Sequence, residues 1–169
     1  MSTEQDTIDA AVQAVIAAVR AGDTAALYEA VMPPAGGDTP PDQAARWFGL
    51  LLLHLALAAA RACELRPGCS REAVAQWTTH ALGPLPTPAL IRGADPARID
   101  HHAAASAARD YAQYIAYTVD LLRVGLTPPG EEVDTRVVDA HQAATNNKTA
   151  RINVIALLAR LAAVPSRHD

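Results

Sequence analysis

The stretch WFGLLLLHLALAAA, residues 47–60, decides the fold, because it is apolar on nearly every side of a helix. Just before it, Thr39 offers a capping side chain, Pro40 and Pro41 fit a first helical turn, and Asp42 suits the positive end of the helix dipole. We therefore predict a central helix near 40–65. The apolar stretch is shorter than the about 20 residues that a bilayer span needs, so we expect a buried core helix.

Composition extends this expectation to the whole chain. Alanine, the strongest helix former, is the commonest residue, aromatic residues make up only 4%, and runs that favour strands are missing. We predict an all-α bundle of six or seven helices that forms a single domain over residues 1–169. Residues 1–5 and 165–169 are expected to be flexible ends.

Start and stop signals place the other helices along the chain. Expected N-caps are Asp6 or Thr7, Asp23, Ser70, Asp95 before Pro96, and Asn146 or Asn147; a further helix is expected from Glu131. The Asp95–Pro96 signal opens the longest helix, near 96–124. Gly- or Pro-rich loops lie between the predicted helices, and Thr87–Pro88 is expected to start a single helical turn.

The charge argues against several classes of partner. The formal net charge is -4, whereas a nucleic-acid binder normally has a basic excess on one face. Only the last part of the chain is locally basic, with Lys148, Arg151, Arg160 and Arg167. The polar, acidic start lacks the positive charge of a secretory signal. We expect a cytoplasmic bacterial protein that uses no nucleic acid, membrane or cofactor.

A first hypothesis is a non-catalytic interaction or regulatory module, whose partner is a second copy or another protein. Small side chains form a ridge along the longest helix, at Ala104, Ala108, Ala112 and Ala116. The last helix is apolar over much of its surface, with Ile152 and Ile155 at its start. These features would serve as an interface, or both would belong to the internal core.

A second hypothesis is a small-molecule-binding, metal-binding or enzymatic site between the longest helix and its neighbours. Candidate ligand-binding residues are His102, Asp110, Tyr114 and His141, with the deeper His54. In catalysis a histidine would act as the base and an aspartate would orient it. The competing interpretation is that these side chains are packed or solvated, and that Asp120 pairs with Arg123 three residues later.

Motifs for metal or covalent chemistry are missing. No histidine and carboxylate have the spacing of a bundle metal site, and no phosphate-binding loop or nucleophile motif occurs, so we expect neither a metal nor a catalytic centre. Cys63 and Cys69 bracket the turn Arg66-Pro67-Gly68. A disulfide between them stays open: their spacing allows it, whereas a cytosolic location favours free thiols.

Overall fold

The computed structural model describes residues 3–83 and 101–164, and for residues 101–108 it describes the backbone alone. In these ranges every regular element is helical, which confirms the all-α bundle. The helices are α1 (Thr3–Ala21), α2 (Thr24–Val31), α3 (Pro41–Ala62), α4 (Arg71–Leu82), α5 (His101–Leu122), α6 (Thr135–Asn146) and α7 (Lys148–Ala162). A short 3-10 turn, Gly36–Asp38, lies between α2 and α3.

Helix α3 lies at the centre of the bundle, as its all-round apolar sequence predicts. It packs against α1, α5, α6 and α7. By length and composition α3 also passes as a membrane span, because the whole helix is longer than its apolar stretch. Seven of its residues are buried against other helices, and the core helix of a bundle passes the same test.

Helix α7 shares the centre with α3. It packs against α1, α3, α4, α5 and α6, and eight of its residues are buried, among them Ile155, Leu158 and Leu161. Since its apolar side chains are used inside the chain, most of the apolar run at the end of the sequence belongs to the core.

Local capping signals fix several helix starts where the sequence predicts them. Asp23 accepts a hydrogen bond from the Ala26 backbone N–H at 3.0 Å, and Ser70 accepts one from that of Ala73 at 3.1 Å. Asn147 caps α7 in the same way. Each side chain satisfies a backbone donor that the first helical turn leaves free.

Other predicted helix ends are wrong by a few residues. Thr39 does not cap α3: its hydroxyl donates to the Gly36 carbonyl at 2.8 Å, and Pro40 occupies the cap position. Helix α1 starts earlier than its predicted caps and includes residues 3–5, whereas α3 ends at Ala62 and not near 65. Helix α6 begins at Thr135, because Asp134 and not a residue near Glu131 provides its cap.

Some sequence predictions lie outside the described residues. They are the start of the longest helix at Asp95–Pro96, the helical turn at Thr87–Pro88, and the C-terminal end 165–169. The described part of the longest helix ends at Leu122, two residues before the predicted end.

Candidate functional site

A cleft of about 540 Å³ opens between the C-terminal end of α2, the middle of α3 and the first turns of α7. Its walls combine apolar and cationic side chains, from Tyr28, Val31, Met32, Phe48, Lys148, Thr149, Arg151, Ile152, Asn153 and Ile155. Small-molecule sites are typically concavities of roughly 300–1,000 Å³ with mostly apolar walls and a few placed polar groups. The cleft has this size and this composition.

Helix α2 contributes an exposed apolar wall. Tyr28 and Met32, four residues apart, keep 45% and 46% of their surface exposed. The end of α2 is held in place by Trp47, whose indole Nε1 donates to the Val31 carbonyl at 3.1 Å. Because Trp47 is buried, this bond anchors the wall to the core.

The first turns of α7 contribute the polar wall. Lys148, Arg151, Ile152 and Ile155 recur at the spacing of one helix face, and all of them line the cleft. Lys148 and Thr149 are exposed, whereas Ile155 is fully buried. The cleft therefore has its cations at the start of α7 and its apolar floor deeper in the bundle.

Arg151 is the best-positioned cation in the cleft. Its guanidinium carbon lies 3.7 Å from the centroid of the Phe48 ring, and its Nη1 donates to the Thr145 carbonyl at 2.8 Å. Burial lowers the pKa of Arg151 from its ordinary value, and within the described ranges no charged group opposes that shift. Arginine nevertheless stays charged at neutral pH, so the cleft contains a partly desolvated cation.

Four of the ligand-binding residues that the sequence proposes have described side chains, and these lie outside the cleft. His141 Nε2 lies 3.0 Å from the Gly49 carbonyl oxygen, which ties α6 to α3. His54 Nδ1 is 3.9 Å from Asp9 Oδ1, near a different cavity beside the start of α1. Asp110 is exposed and Tyr114 is half-buried on α5. None of these four lines the cleft, and the side chain of His102 lies outside the described residues.

The proposed interface residues are likewise divided. Ile152, half-buried, and Ile155, fully buried, both line the cleft. On α5, Ala112 is exposed and Ala116 is half-buried, while the side chains of Ala104 and Ala108 lie outside the described residues. Neither Ala112 nor Ala116 is among the residues that line the cleft.

A charge network on the other side of the bundle extends the predicted Asp120–Arg123 pair, which is confirmed at 3.2 Å. Asp120 is buried and also accepts from Arg71 on α4 at 2.8 Å. Arg123 reaches Asp134, the cap of α6, at 2.9 Å. These groups satisfy one another across three helices, so we interpret the network as structural.

The bundle buries the hydroxyl groups of Thr78 and Tyr111. Thr78 and Tyr111 are fully or almost fully buried, and their hydroxyl oxygens make no hydrogen bond to the described residues. Burial raises the pKa of Tyr111, although the nearby charge of Arg160 partly opposes this. Tyr111, and not Tyr114, is the tyrosine that the core encloses.

The described residues form neither a metal site nor a disulfide. Among the residues that the structure describes, no three His, Cys, Asp or Glu side chains are grouped so that they could hold a metal ion. Cys63 and Cys69 are both free thiols, and the Cys63 thiol donates to the Ala60 carbonyl at 3.0 Å. Burial raises the pKa of Cys63, which makes it a poor nucleophile.

Comparison with known proteins returns no relative. No protein-family model, curated protein or solved structure matches this chain.

Proposed function

We propose that this protein is a non-catalytic binding protein and that the cleft between α2, α3 and α7 holds its ligand. One observation carries the proposal: the exposed Tyr28 and Met32, at the end of α2, line the same cleft of about 540 Å³ as Lys148 and Arg151, two cations of α7 that form no salt bridge within the described residues. An apolar side chain that stays exposed contributes no stabilisation by burial, so the grouping of two such side chains beside a cavity supports a binding role.

A small molecule fits this cleft better than a protein partner. A stable protein interface buries roughly 800 Å² on each partner and usually contains a contiguous apolar core. Among the described residues, four large hydrophobic side chains are exposed: Tyr28 and Met32 at the cleft, and Val133 and Val138 elsewhere. This small apolar area supports a compact ligand over a docked protein, while a second copy or another protein stays the alternative that the test distinguishes.

The proposed function is binding without catalysis. Among the described side chains that line the cleft there is no carboxylate and no histidine, the groups that most often act as general acid or base. What the cleft offers is apolar area, two cations, the hydroxyls of Tyr28 and Thr149, and an asparagine amide. These groups are suited to holding a ligand.

Dye binding to a variant with a filled cleft tests the proposal. Ile152→Trp places a larger side chain at the cleft, and Val138→Trp adds the same side chain at an exposed position on α6. With the neutral dye N-phenyl-1-naphthylamine, we expect saturable fluorescence enhancement in the wild type and in Val138→Trp, and weak enhancement in Ile152→Trp.

Absence of saturable dye binding, or equal binding by Ile152→Trp, would contradict a small-molecule cleft. Sedimentation of the same samples tests the alternative. A dimer that dissociates in Ile152→Trp, together with no dye binding, would assign the cleft to a second copy.

A further inference from the structure

The two cations of the cleft have no acidic partner in the described residues. No Asp or Glu lines the cleft, and neither Lys148 nor Arg151 forms a salt bridge within the described ranges. Arg151 is half-buried, and burying a charge is costly unless an opposite charge or hydrogen bonds compensate. The carbonyl of Thr145 and the ring of Phe48 compensate only in part, because neither is an anion.

Arg71 and Arg46 pair with carboxylates, whereas the half-buried Arg160 donates to the Leu82 carbonyl at 3.1 Å. Arg71, partly buried, donates to Asp120, and this bond raises the pKa of Arg71. Arg46 borders two further cavities and pairs with Glu4 at 3.1 Å, although it is well exposed. The pKa of Arg151 is lowered by burial, and no carboxylate of the described residues counteracts this. An anion is therefore the group that would complete the environment of Arg151.

The two cations lie close enough to act together. Lys148 and Arg151 are three residues apart on α7, so they are neighbours on one helix face. Lys148 is the first residue of the helix, where the dipole also favours negative charge. The apolar side chains of Tyr28, Met32 and Ile152 line the same cleft.

We propose that the ligand of the cleft is a small apolar carboxylate, whose oxygens bind Arg151 and Lys148 and whose hydrocarbon part packs on Tyr28, Met32 and Ile152. This inference rests on the proposed binding function and specifies its ligand class. A neutral apolar compound would leave both cations unpaired.

A carboxylate matches Arg151 better than a phosphate monoester. One N–H donor of the Arg151 guanidinium binds the Thr145 carbonyl, and one face of the guanidinium plane is covered by the Phe48 ring. The remaining donors form a planar fork, which matches the two oxygens of a carboxylate. A phosphate dianion can use the same fork, but its second charge would depend on the exposed Lys148, whereas a carboxylate is neutralised by Arg151 alone.

Calorimetric titration with three probes of the same chain length tests the ligand class. We expect octanoate to bind at least about tenfold more tightly than 1-octanol, because a hydrogen bond to a charged group is among the stronger polar contacts. Octanoate should also bind more tightly than octyl phosphate. The wild-type protein is used at neutral pH and low salt, where the carboxylate is ionised and screening is weak.

Two cleft variants and one matched control locate the anion. Lys148→Gln removes an exposed charge without touching the core, and Arg151→Lys keeps the charge but loses the planar fork. Arg136→Gln removes an exposed arginine at the opposite end of α6 from Thr145. Both cleft variants should weaken octanoate binding by about tenfold and leave 1-octanol unchanged, while Arg136→Gln should bind as the wild type does.

The outcomes separate this inference from the binding function itself. Equal binding of octanoate and 1-octanol, or unchanged octanoate binding in both cleft variants, contradicts the carboxylate and leaves a binding cleft. Tighter binding of octyl phosphate replaces the carboxylate by a phosphate. If no octyl probe binds, the inference is wrong, and the neutral dye then decides whether the binding function is wrong as well.

Discussion

The guanidinium of Arg151 stacks on the ring of Phe48, with 3.7 Å between the guanidinium carbon and the ring centroid. The contact joins the first turn of α7 to the middle of α3, the two helices at the centre of the bundle. It also holds the cation at the edge of the cleft instead of letting it extend into solvent. The same pair thus contributes to packing and positions the charge that we assign to ligand binding.

The stacked pair should be energetically coupled. A double-mutant cycle with Phe48→Leu and Arg151→Met measures this in urea unfolding. We expect a coupling free energy of about 0.5–2 kcal/mol, because cation–π contacts are stronger when partly desolvated. Additive effects of the two substitutions would show that the stacking contributes nothing beyond the packing of each side chain.

Exposed apolar residues of the cleft should matter for binding and not for stability. We expect Tyr28→Ser and Met32→Ser to change the free energy of unfolding by less than about 0.5 kcal/mol, as is typical of surface positions. Both should weaken octanoate binding.

Val31 is buried, and Val31→Ala is the control for stability. It should lower the free energy of unfolding by more than about 1 kcal/mol, because it leaves a cavity. A large loss of stability in Tyr28→Ser or Met32→Ser would mean that these side chains support the fold.

Gly125 is required by a close approach after α5. A Cβ atom at this position would overlap the Cβ of Ala60 on α3. Gly125→Ala should therefore lower the free energy of unfolding by about 1–3 kcal/mol, as overpacking does, and Ala60→Gly should restore part of the loss.

Gly37→Ala is the matched control, because a Cβ there meets no neighbour within 4 Å. Thermal unfolding of Gly125→Ala, of the double variant Gly125→Ala with Ala60→Gly, and of Gly37→Ala measures the change in stability. If Gly125→Ala is as stable as Gly37→Ala, the turn after α5 is not packed this closely against α3.

Asp134 should make stability depend on acid pH. Its carboxylate accepts from the Arg136 backbone N–H and from Arg123, and these bonds lower its pKa in the folded state. The stabilisation is therefore present above the ordinary aspartate pKa of about 4 and is lost as the pH falls through the lowered value.

Urea unfolding from neutral to acid pH should show the wild type losing its advantage over Asp134→Asn in this range. Parallel curves for the two proteins at all pH values would contradict the assigned pKa shift.

The helices follow from local rules, which is why the sequence predicts most of them. Asp23, Ser70 and Asn147 cap helices because a side-chain oxygen needs only a neighbouring backbone donor. Thr39 shows the limit of such rules. The same hydroxyl can donate to a carbonyl of the preceding turn, and the competing bond to Gly36 determines its role.

The cleft could not be predicted in the same way, because its walls come from separate parts of the chain. Tyr28, Phe48 and Arg151 lie on three different helices, and tertiary packing alone brings them together. The sequence carries one signal: Lys148 and Arg151 make its end locally basic within an acidic chain. The histidine candidates of the sequence include His141, whose ring contacts a backbone carbonyl.

Backbone NMR during titration with octanoate is the most direct test of the central claim. The account predicts saturable amide shifts concentrated at the end of α2, around Phe48 on α3, and in residues 148–155, with little change near His54 on α3 or along α5. Shifts centred on α5 or on the start of α1, or no saturable shifts, would contradict the assignment of this cleft as the binding site.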